Sequence, residues 1–322
     1  MSNVNSPITT KLSEENKQQI ATHPHYGLGA KIPPTVRQPL ERSELLKKLS
    51  LPLLYVTSSI KGRQHHVAFQ DIKTYCLFIG HGRSGHSIFG ALLDAHPQII
   101  IPDELDTLRY IAAGFGKDQI CYLLLARSQA QIRRGRRKTG LGDKTYSYQV
   151  PDQWQGRFDK LKVIGDSQAG VSTQRLAQNP ALFQRLQDTM TEVNIKVLHV
   201  IRNPYDNIST LMLRGGRSFE NAIERYFTNC EIIAEFRKRI SSDDLLATRQ
   251  EEFLAQPQAR LHETCRFLGL EANQNYLDAC ASILYKSPAK SRSKVAWTPE
   301  LINLVQRRID EFDFLAGYTY ES

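Results

Sequence analysis

From Tyr75 onward, short apolar or β-branched runs alternate with segments whose apolar residues recur every three or four positions, which is the pattern of a parallel sheet covered by helices. The strands it predicts are Tyr75 to Ile79, Gln98 to Ile101, Lys162 to Gly165, Ile195 to Ile201 and Leu245 to Thr248. Two helices carry explicit start signals. After the run IKVLHVI, Asn203 can cap, Pro204 suits the first helical position, Asp206 favours the first turn, and Gly215-Gly216 stops the helix. Further on, Thr298 caps, Pro299 follows, and Leu301, Ile302, Leu304, Val305, Ile309 and Phe312 share an apolar face. Phe219, Ile223, Tyr226, Phe227, Cys230 and Ile233 draw a similar stripe on a longer helix, and both stripes are expected in the core.

Residues 1–70 read differently. Up to about residue 45 they are rich in polar residues, Pro and Gly, and the first apolar run, Leu49 to Val56, is short and broken by Pro52. The expectation is an N-terminal extension over 1–70, partly disordered or wrapping the domain, followed by one α/β domain over 71–322. With 322 residues and 41% hydrophobic content there is enough material for its core. No targeting pattern and no apolar run long enough to span a membrane is present, so a cytoplasmic location is expected. The five cysteines, Cys76, Cys121, Cys230, Cys265 and Cys280, form no C-x-x-C pair and suit neither a disulfide framework nor a zinc site. A net charge of +9 favours an anionic ligand without naming one.

The segment YCLFIGHGRSGHSIFGALLDAHP, residues 75–97, sharpens that last point. It reads as a buried strand, a glycine-rich turn and an amphipathic helix, the architecture of an anion cradle. Gly80, Gly85, His86 and Ser87 fall on the spacing G-x-x-x-x-G-[K]-[ST] of the nucleotide-binding P-loop, except that His86 stands where the phosphate-binding lysine belongs. Arg83, inside the loop, supplies a cation instead. The fold expected is therefore a P-loop-like three-layer domain, with a central, mostly parallel sheet flanked by helices. A second constellation is RNPYDNIST, residues 202–210. Arg202 leaves a strand just before a helix start, where parallel α/β folds place ligand contacts, and Thr210 or its neighbour Ser209 could join it. Arg202 could also pair locally with Asp206.

These residues resemble a family. GHGRSGHSIFGALLDAHPQI is similar to the 5′-phosphosulfate loop of the sulfotransferases that use 3′-phosphoadenosine 5′-phosphosulfate (PAPS). RNPYDNIST is similar to their 3′-phosphate motif, through Arg202, Pro204 and Thr210, and TRQEEFLAQPQARLHETCRFLGLE resembles the family's helical region ending in FLGL. The resemblance covers about residues 72–322. His86 departs from the usual Thr, Thr210 from the usual Ser, and the Arg-Lys-Gly triplet of many members is absent; Lys290, Arg292 and Lys294 stand in KSRSKVAW, either closing over the nucleotide or forming a solvated basic loop.

The resemblance implies a metal-independent transfer of sulfonate from PAPS to a hydroxyl or amine. Arg83, Ser84, Gly85, His86, Ser87, Arg202, Thr210, Ser209, Lys290 and Arg292 would bind the nucleotide. Glu104 matches the glutamate base of tyrosylprotein and related sulfotransferases, with Asp103 and Asp106 as weaker candidates; alternatively Glu104 is a surface carboxylate capping a helix that starts near Leu105. Lys144 in GDKTYSY matches the active-site lysine. The basic run Arg133, Arg134, Arg136, Arg137 and Lys138 either attracts an acidic acceptor or polyanion or is an exposed helix end; no aromatic interleaving points to nucleic acid. The rival readings are a P-loop kinase or NTPase, with Ser87 and Asp166 on Mg²⁺, and a non-catalytic nucleotide- or polyanion-binding module.

Overall fold

The computed structural model describes residues 44–139, 145–285 and 288–322. The chain divides into a unit ending at Leu54 and a unit spanning Tyr55–Ser322. Helix α1 (Glu44–Phe69) carries the chain across that division, with Pro52 inside it.

The second unit is built on a five-stranded sheet with strand order β2-β5-β1-β6-β7, from Thr74–Gly80 (β1), Ile99–Ile100 (β2), Val163–Asp166 (β5), Asn194–Ile201 (β6) and Leu245–Arg249 (β7). All four pairings are parallel. These are the five expected strands, with no end moved by more than one residue. Every residue of β1 is buried, as a central strand covered on both faces requires. A separate antiparallel ribbon of Arg137–Thr139 (β3) and Thr145–Ser147 (β4) occupies sequence where only a basic run and a loop were expected.

The helices are His86–Leu93 (α2), Thr107–Ala112 (α3), Lys117–Arg133 (α4), Ala169–Gln178 (α5), Ala181–Thr189 (α6), Pro204–Gly215 (α7), Phe219–Arg237 (α8), Gln250–Ala255 (α9), Pro257–Phe267 (α10), Gln274–Ser282 (α11) and Pro299–Ile309 (α12). Alternate residues of β1 divide the core. Cys76 and Phe78 pack with Phe89, Leu92, Leu261, Cys265 and Tyr276 under α2, α10 and α11. On the other side of the sheet α5 and α8 lie against β1, so the unit has the three layers that the sequence suggests. A second cluster joins Tyr205, Ile208, Tyr226, Phe227, Val305, Ile309 and Phe312; Leu304 is 39% exposed and lies off that face.

The anticipated caps form. Asn203 Oδ1 accepts from the Tyr205 amide at 3.0 Å, and Thr298 Oγ1 from the Leu301 amide at 3.4 Å. Gly216 closes α7 in the left-handed region. The register, with Gly80 opposite Val200 and Ile201 opposite Arg249, lines up the C-terminal ends of β1, β6 and β7. The chain fills one side of β1 with β5 and β2 and the other with β6 and β7, so the winding direction reverses beside β1. A crevice at such a reversal is where open α/β sheets bind ligands.

Candidate active site

The loop leaving β1 is fixed at both ends. Thr173 Oγ1 on α5 accepts from the Gly80 amide at 2.9 Å, and Asn229 Nδ2 on α8 donates to the Gly80 carbonyl at 3.0 Å. His81 Nε2 donates to the Tyr226 carbonyl at 2.9 Å, and its ring stacks on Tyr226 with centroids 4.0 Å apart. Burial pushes the His81 imidazole down to about 4. It is therefore a neutral structural post. Gly85 caps α2 with φ 97, a conformation that favours glycine, and the end of the Gln250 side chain rests against it, 2.8 Å from where a Cβ would stand. Arg83 is exposed on the crest of the loop, with φ 70. Ser84 is buried, its Oγ 3.5 Å from His86 Nδ1, and Ser87 is half-buried in the first turn of α2. That turn contains no acidic residue, which leaves the positive end of the helix dipole and the Arg83 cation together at one mouth.

The second constellation abuts the first. Arg202 is 7% exposed and donates through Nη1 to the Arg83 carbonyl at 3.2 Å and to Thr210 Oγ1 at 3.3 Å. Through Nη2 it donates to the Ala289 carbonyl at 2.5 Å and Ser291 Oγ at 3.2 Å. Its Nε is buried without a partner. Every one of these acceptors is neutral. Asp206, the alternative local partner, instead pairs with Arg292 Nη2 at 3.2 Å. Burial lowers the Arg202 guanidinium from its usual range, opposed by the more distant Asp206 and Glu251 charges. A buried cation held only by neutral oxygens keeps a charge that no close carboxylate balances.

Of the two hydroxyl candidates, Thr210 is the one beside Arg202; Ser209 donates to the Tyr205 carbonyl at 2.7 Å and accepts from Trp297 Nε1 at 3.0 Å. Two further orphaned groups belong to this end of the fold: both amide atoms of Asn207 on α7, and Oε1 of Gln250, the side chain that rests against Gly85.

The third constellation comes from the turn between β2 and α3. Glu104 is exposed and Asp103 buried, and a ring nitrogen of His86 and carboxylate oxygens of both acids lie within 4.8 Å of one another. No other group of three His, Cys, Asp or Glu side chains among the described residues is this compact. The first residue of α2 and the candidate base therefore meet, although eighteen positions of sequence separate them. Glu104 does not cap a helix: α3 begins at Thr107, and Asp106, at its N-cap, is paired with Arg175.

Other expected residues lie elsewhere. Lys144 is outside the described residues. Lys290 and Lys294 are exposed on the segment that carries Ser291. Arg292 is buried, and its donors go to Asp206 and to the Thr319, Tyr320 and Ser322 carbonyls, not toward the loop. Asp166 accepts from Leu105 N, Thr107 N and Thr107 Oγ1, which occupies the oxygens that the kinase reading would have placed on a metal. The basic run is also divided: Arg133 and Arg134 are exposed, whereas Arg136 is 6% exposed and bonded to Asp94 Oδ2 at 2.6 Å. Gln250 and Ser291 were not anticipated. The signal for Gln250 was its place just past a strand; Ser291 lay inside the basic trio and was masked by its charged neighbours.

A profile of the sulfotransferase family matches residues 77–274. Comparison with curated proteins returns no match. Among solved structures, the chain is similar to the sulfotransferase domain of the Synechococcus PCC 7002 olefin synthase, with 14% identity over 74% of this chain and 95% of that one and a TM-score of 0.45. It is similar to sulfotransferase STF9 from Mycobacterium avium, with 16% identity over 87% of this chain and 86% of that one and a TM-score of 0.45. Mouse sulfotransferase SULT7A1, complexed with PAP, has 11% identity over 77% of this chain and 85% of that one, with a TM-score of 0.40.

Proposed function

We propose that this chain, which belongs to the sulfotransferase family, moves a sulfonate group from PAPS to a hydroxyl or amine acceptor. The observation that carries the reading is Arg202: a buried cation with only neutral partners, joined to the Arg83 loop and to Thr210. In this reading Arg202 and Thr210 hold the 3′-phosphate, with Lys290 at the rim. Arg83, Ser84, Gly85, His86, Ser87 and the first turn of α2 hold the 5′-phosphosulfate, and Lys144 adds charge near the leaving phosphate. Ser209 and Arg292 support the site from behind, through Trp297 and Asp206.

Glu104 accepts the acceptor's proton as the acceptor oxygen or nitrogen forms a bond to sulfur. The bond from sulfur to the 5′-phosphate oxygen breaks in line, and its electron pair leaves with adenosine 3′,5′-bisphosphate. Positioning and fixed charge supply the catalysis, with no covalent enzyme intermediate and no metal ion. Residues 71–322 form the catalytic domain in this reading, with 1–70 as its extension, in a cytoplasmic protein without a nucleic-acid partner. No helix among the described residues is long and apolar enough to cross a membrane. The deciding experiment incubates the purified protein with PAPS labelled in sulfur and pools of alcohols, phenols, amines and glycans. Labelled product that requires PAPS and is not formed from labelled ATP supports the reading; label transfer only from ATP overturns it in favour of a kinase.

A further inference from the structure

Asp166 lies at the C-terminal end of β5, in register with Leu77 of β1, and is 2% exposed. Its Oδ1 accepts from the Leu105 amide at 3.0 Å, and its Oδ2 from the Thr107 amide at 2.9 Å and the Thr107 hydroxyl at 3.1 Å. The next residue continues the attachment. The Ser167 amide donates to the Pro102 carbonyl at 3.0 Å, and Ser167 Oγ lies 3.3 Å from Asp103 Oδ1. From the other side Gln131 Nε2 donates to the Asp103 carbonyl at 2.6 Å, and Arg127 Nη2 to the Glu104 carbonyl at 3.3 Å. The turn so held contains two left-handed non-glycine residues, Glu104 at φ 55 and Asp106 at φ 68, a conformation the chain keeps only under external restraint.

We propose that Asp166 is a positioning residue for sulfonate transfer: its ionised carboxylate pins the turn that presents Glu104 to His86 and the anion loop. The proposal rests on the reading of Glu104 as the base. All three contacts are donated to Asp166, so they are strongest to the ionised carboxylate and weaken when it takes up a proton. Burial nevertheless pushes the carboxyl up to about 6, against the three hydrogen bonds. The ionisable groups around it are Tyr75 on β1, with Cys121 of α4 beyond it, and Asp106 and Tyr110 on the held segment; Arg175 of α5 neutralises Asp106. The pin is therefore intact at neutral pH and released as the pH falls through about 6.

The test compares wild type, Asp166→Asn and Thr107→Val by turnover, by KM for PAPS and by deuterium uptake of the peptide covering 102–110. Asp166→Asn should lower kcat by about 10–100-fold, the scale of a catalytic group misplaced by about 1 Å. The KM for PAPS should stay within about threefold, because Asp166 touches none of the nucleotide contacts. The 102–110 peptide should exchange faster while β1 stays protected. Thr107→Val removes one donor that favours the charged form, so its acid limb in kcat should move to higher pH with the fold intact, a displacement that a merely structural role would not produce. A looser 102–110 peptide with unchanged kcat, or a Thr107→Val profile that does not move, overturns the proposal and leaves the sulfotransferase reading standing. Normal turnover by Glu104→Gln removes the base instead, and the proposal with it.

Discussion

Arg202 donates through Nη1 to the backbone carbonyl of Arg83 across 3.2 Å, so the residue that follows β6 holds the crest of the loop that follows β1. Two segments that bind opposite ends of one nucleotide in the proposed reading are thereby a single structural piece. The same guanidinium reaches Ala289 and Ser291, which ties in the segment that carries Lys290 and Lys294. An anion arriving at Arg202 meets a charge that no carboxylate has neutralised at close range.

The first prediction follows from that contact. Adenosine 3′,5′-bisphosphate should raise the melting temperature, and Mg-ATP far less, since a ligand at about 100 times its Kd adds roughly 2.7 kcal/mol. In Arg202→Ala the preference for the bisphosphate over AMP should shrink by about ten- to a hundredfold, because a charge-assisted hydrogen bond contributes about 1.5–3 kcal/mol. Thr210→Val should lose less, and Ser209→Ala almost nothing. Calorimetric titration of the four proteins reads this directly; an unchanged preference in Arg202→Ala would move the 3′-phosphate site to Lys290 and Lys294.

What the sequence showed depends on whether the signal was local. Strand β1, the Gly80 to Ser87 loop and the Asn203-Pro204 start of α7 are written in consecutive residues, and all three stand where the pattern put them. The pairing of Arg202 with Thr210 was legible for the same reason, since an eight-residue separation on a strand end and helix is a fixed distance. Arg136, in contrast, looked like one of five equivalent surface cations. Only the fold reveals that Asp94, forty-two positions earlier, lies beneath it. Asp166 gave no clue that it holds residues 105 and 107 either, because the partners are backbone amides, and amides leave no mark in a sequence.

The second prediction separates the members of that basic run. Asp94 accepts from Arg136, Ser128, and the Ile101 and Gly156 amides. Removing one partner of such a buried pair leaves an uncompensated charge and costs about 3–5 kcal/mol. Urea denaturation should therefore show a large loss for Arg136→Ala and changes within about 0.5 kcal/mol for Arg133→Ala and Arg134→Ala, which remove exposed side chains. A small effect at Arg136 would mean that the pair is dispensable.

The third prediction concerns acid stability. With its imidazole held down to about 4 in the fold and near 6.5 when unfolded, His81 takes a proton only in the unfolded chain over that interval. Its contribution is complete above about pH 6.5 and is lost as the pH falls toward 4, amounting to about 2 kcal/mol at pH 5. The raised Asp166 carboxyl acts with the opposite sign, its cost growing as the pH rises through about 6, so the total curve mixes the two. The difference between wild type and His81→Gln cancels the Asp166 part. The variant, less stable at pH 7.5, should lose about 2 kcal/mol less than wild type between pH 7.5 and pH 5. Parallel curves would show that His81 titrates alike in both states.

The last prediction concerns Glu104 itself. Glu104→Gln keeps the size of the side chain and its place beside His86 but cannot accept a proton, so bisphosphate affinity should hold while turnover falls by roughly 10²–10⁴-fold, the range for one general base. Asp103→Asn is the control. Asp103 is buried, with Ser167 Oγ 3.3 Å from its carboxylate, and its carboxamide should cost turnover no more than about tenfold. Single-turnover measurements with bound PAPS isolate the chemical step from product release. A normal Gln variant beside a dead Asn variant would shift the base to Asp103. Two active variants would pass the role to His86 and not to His81, whose Nε2 is committed to the Tyr226 carbonyl and whose ring is buried under Tyr226. Of the two histidines that flank the loop, only His86 shares the space of the acids, and His86→Asn would then carry the loss that Glu104→Gln did not.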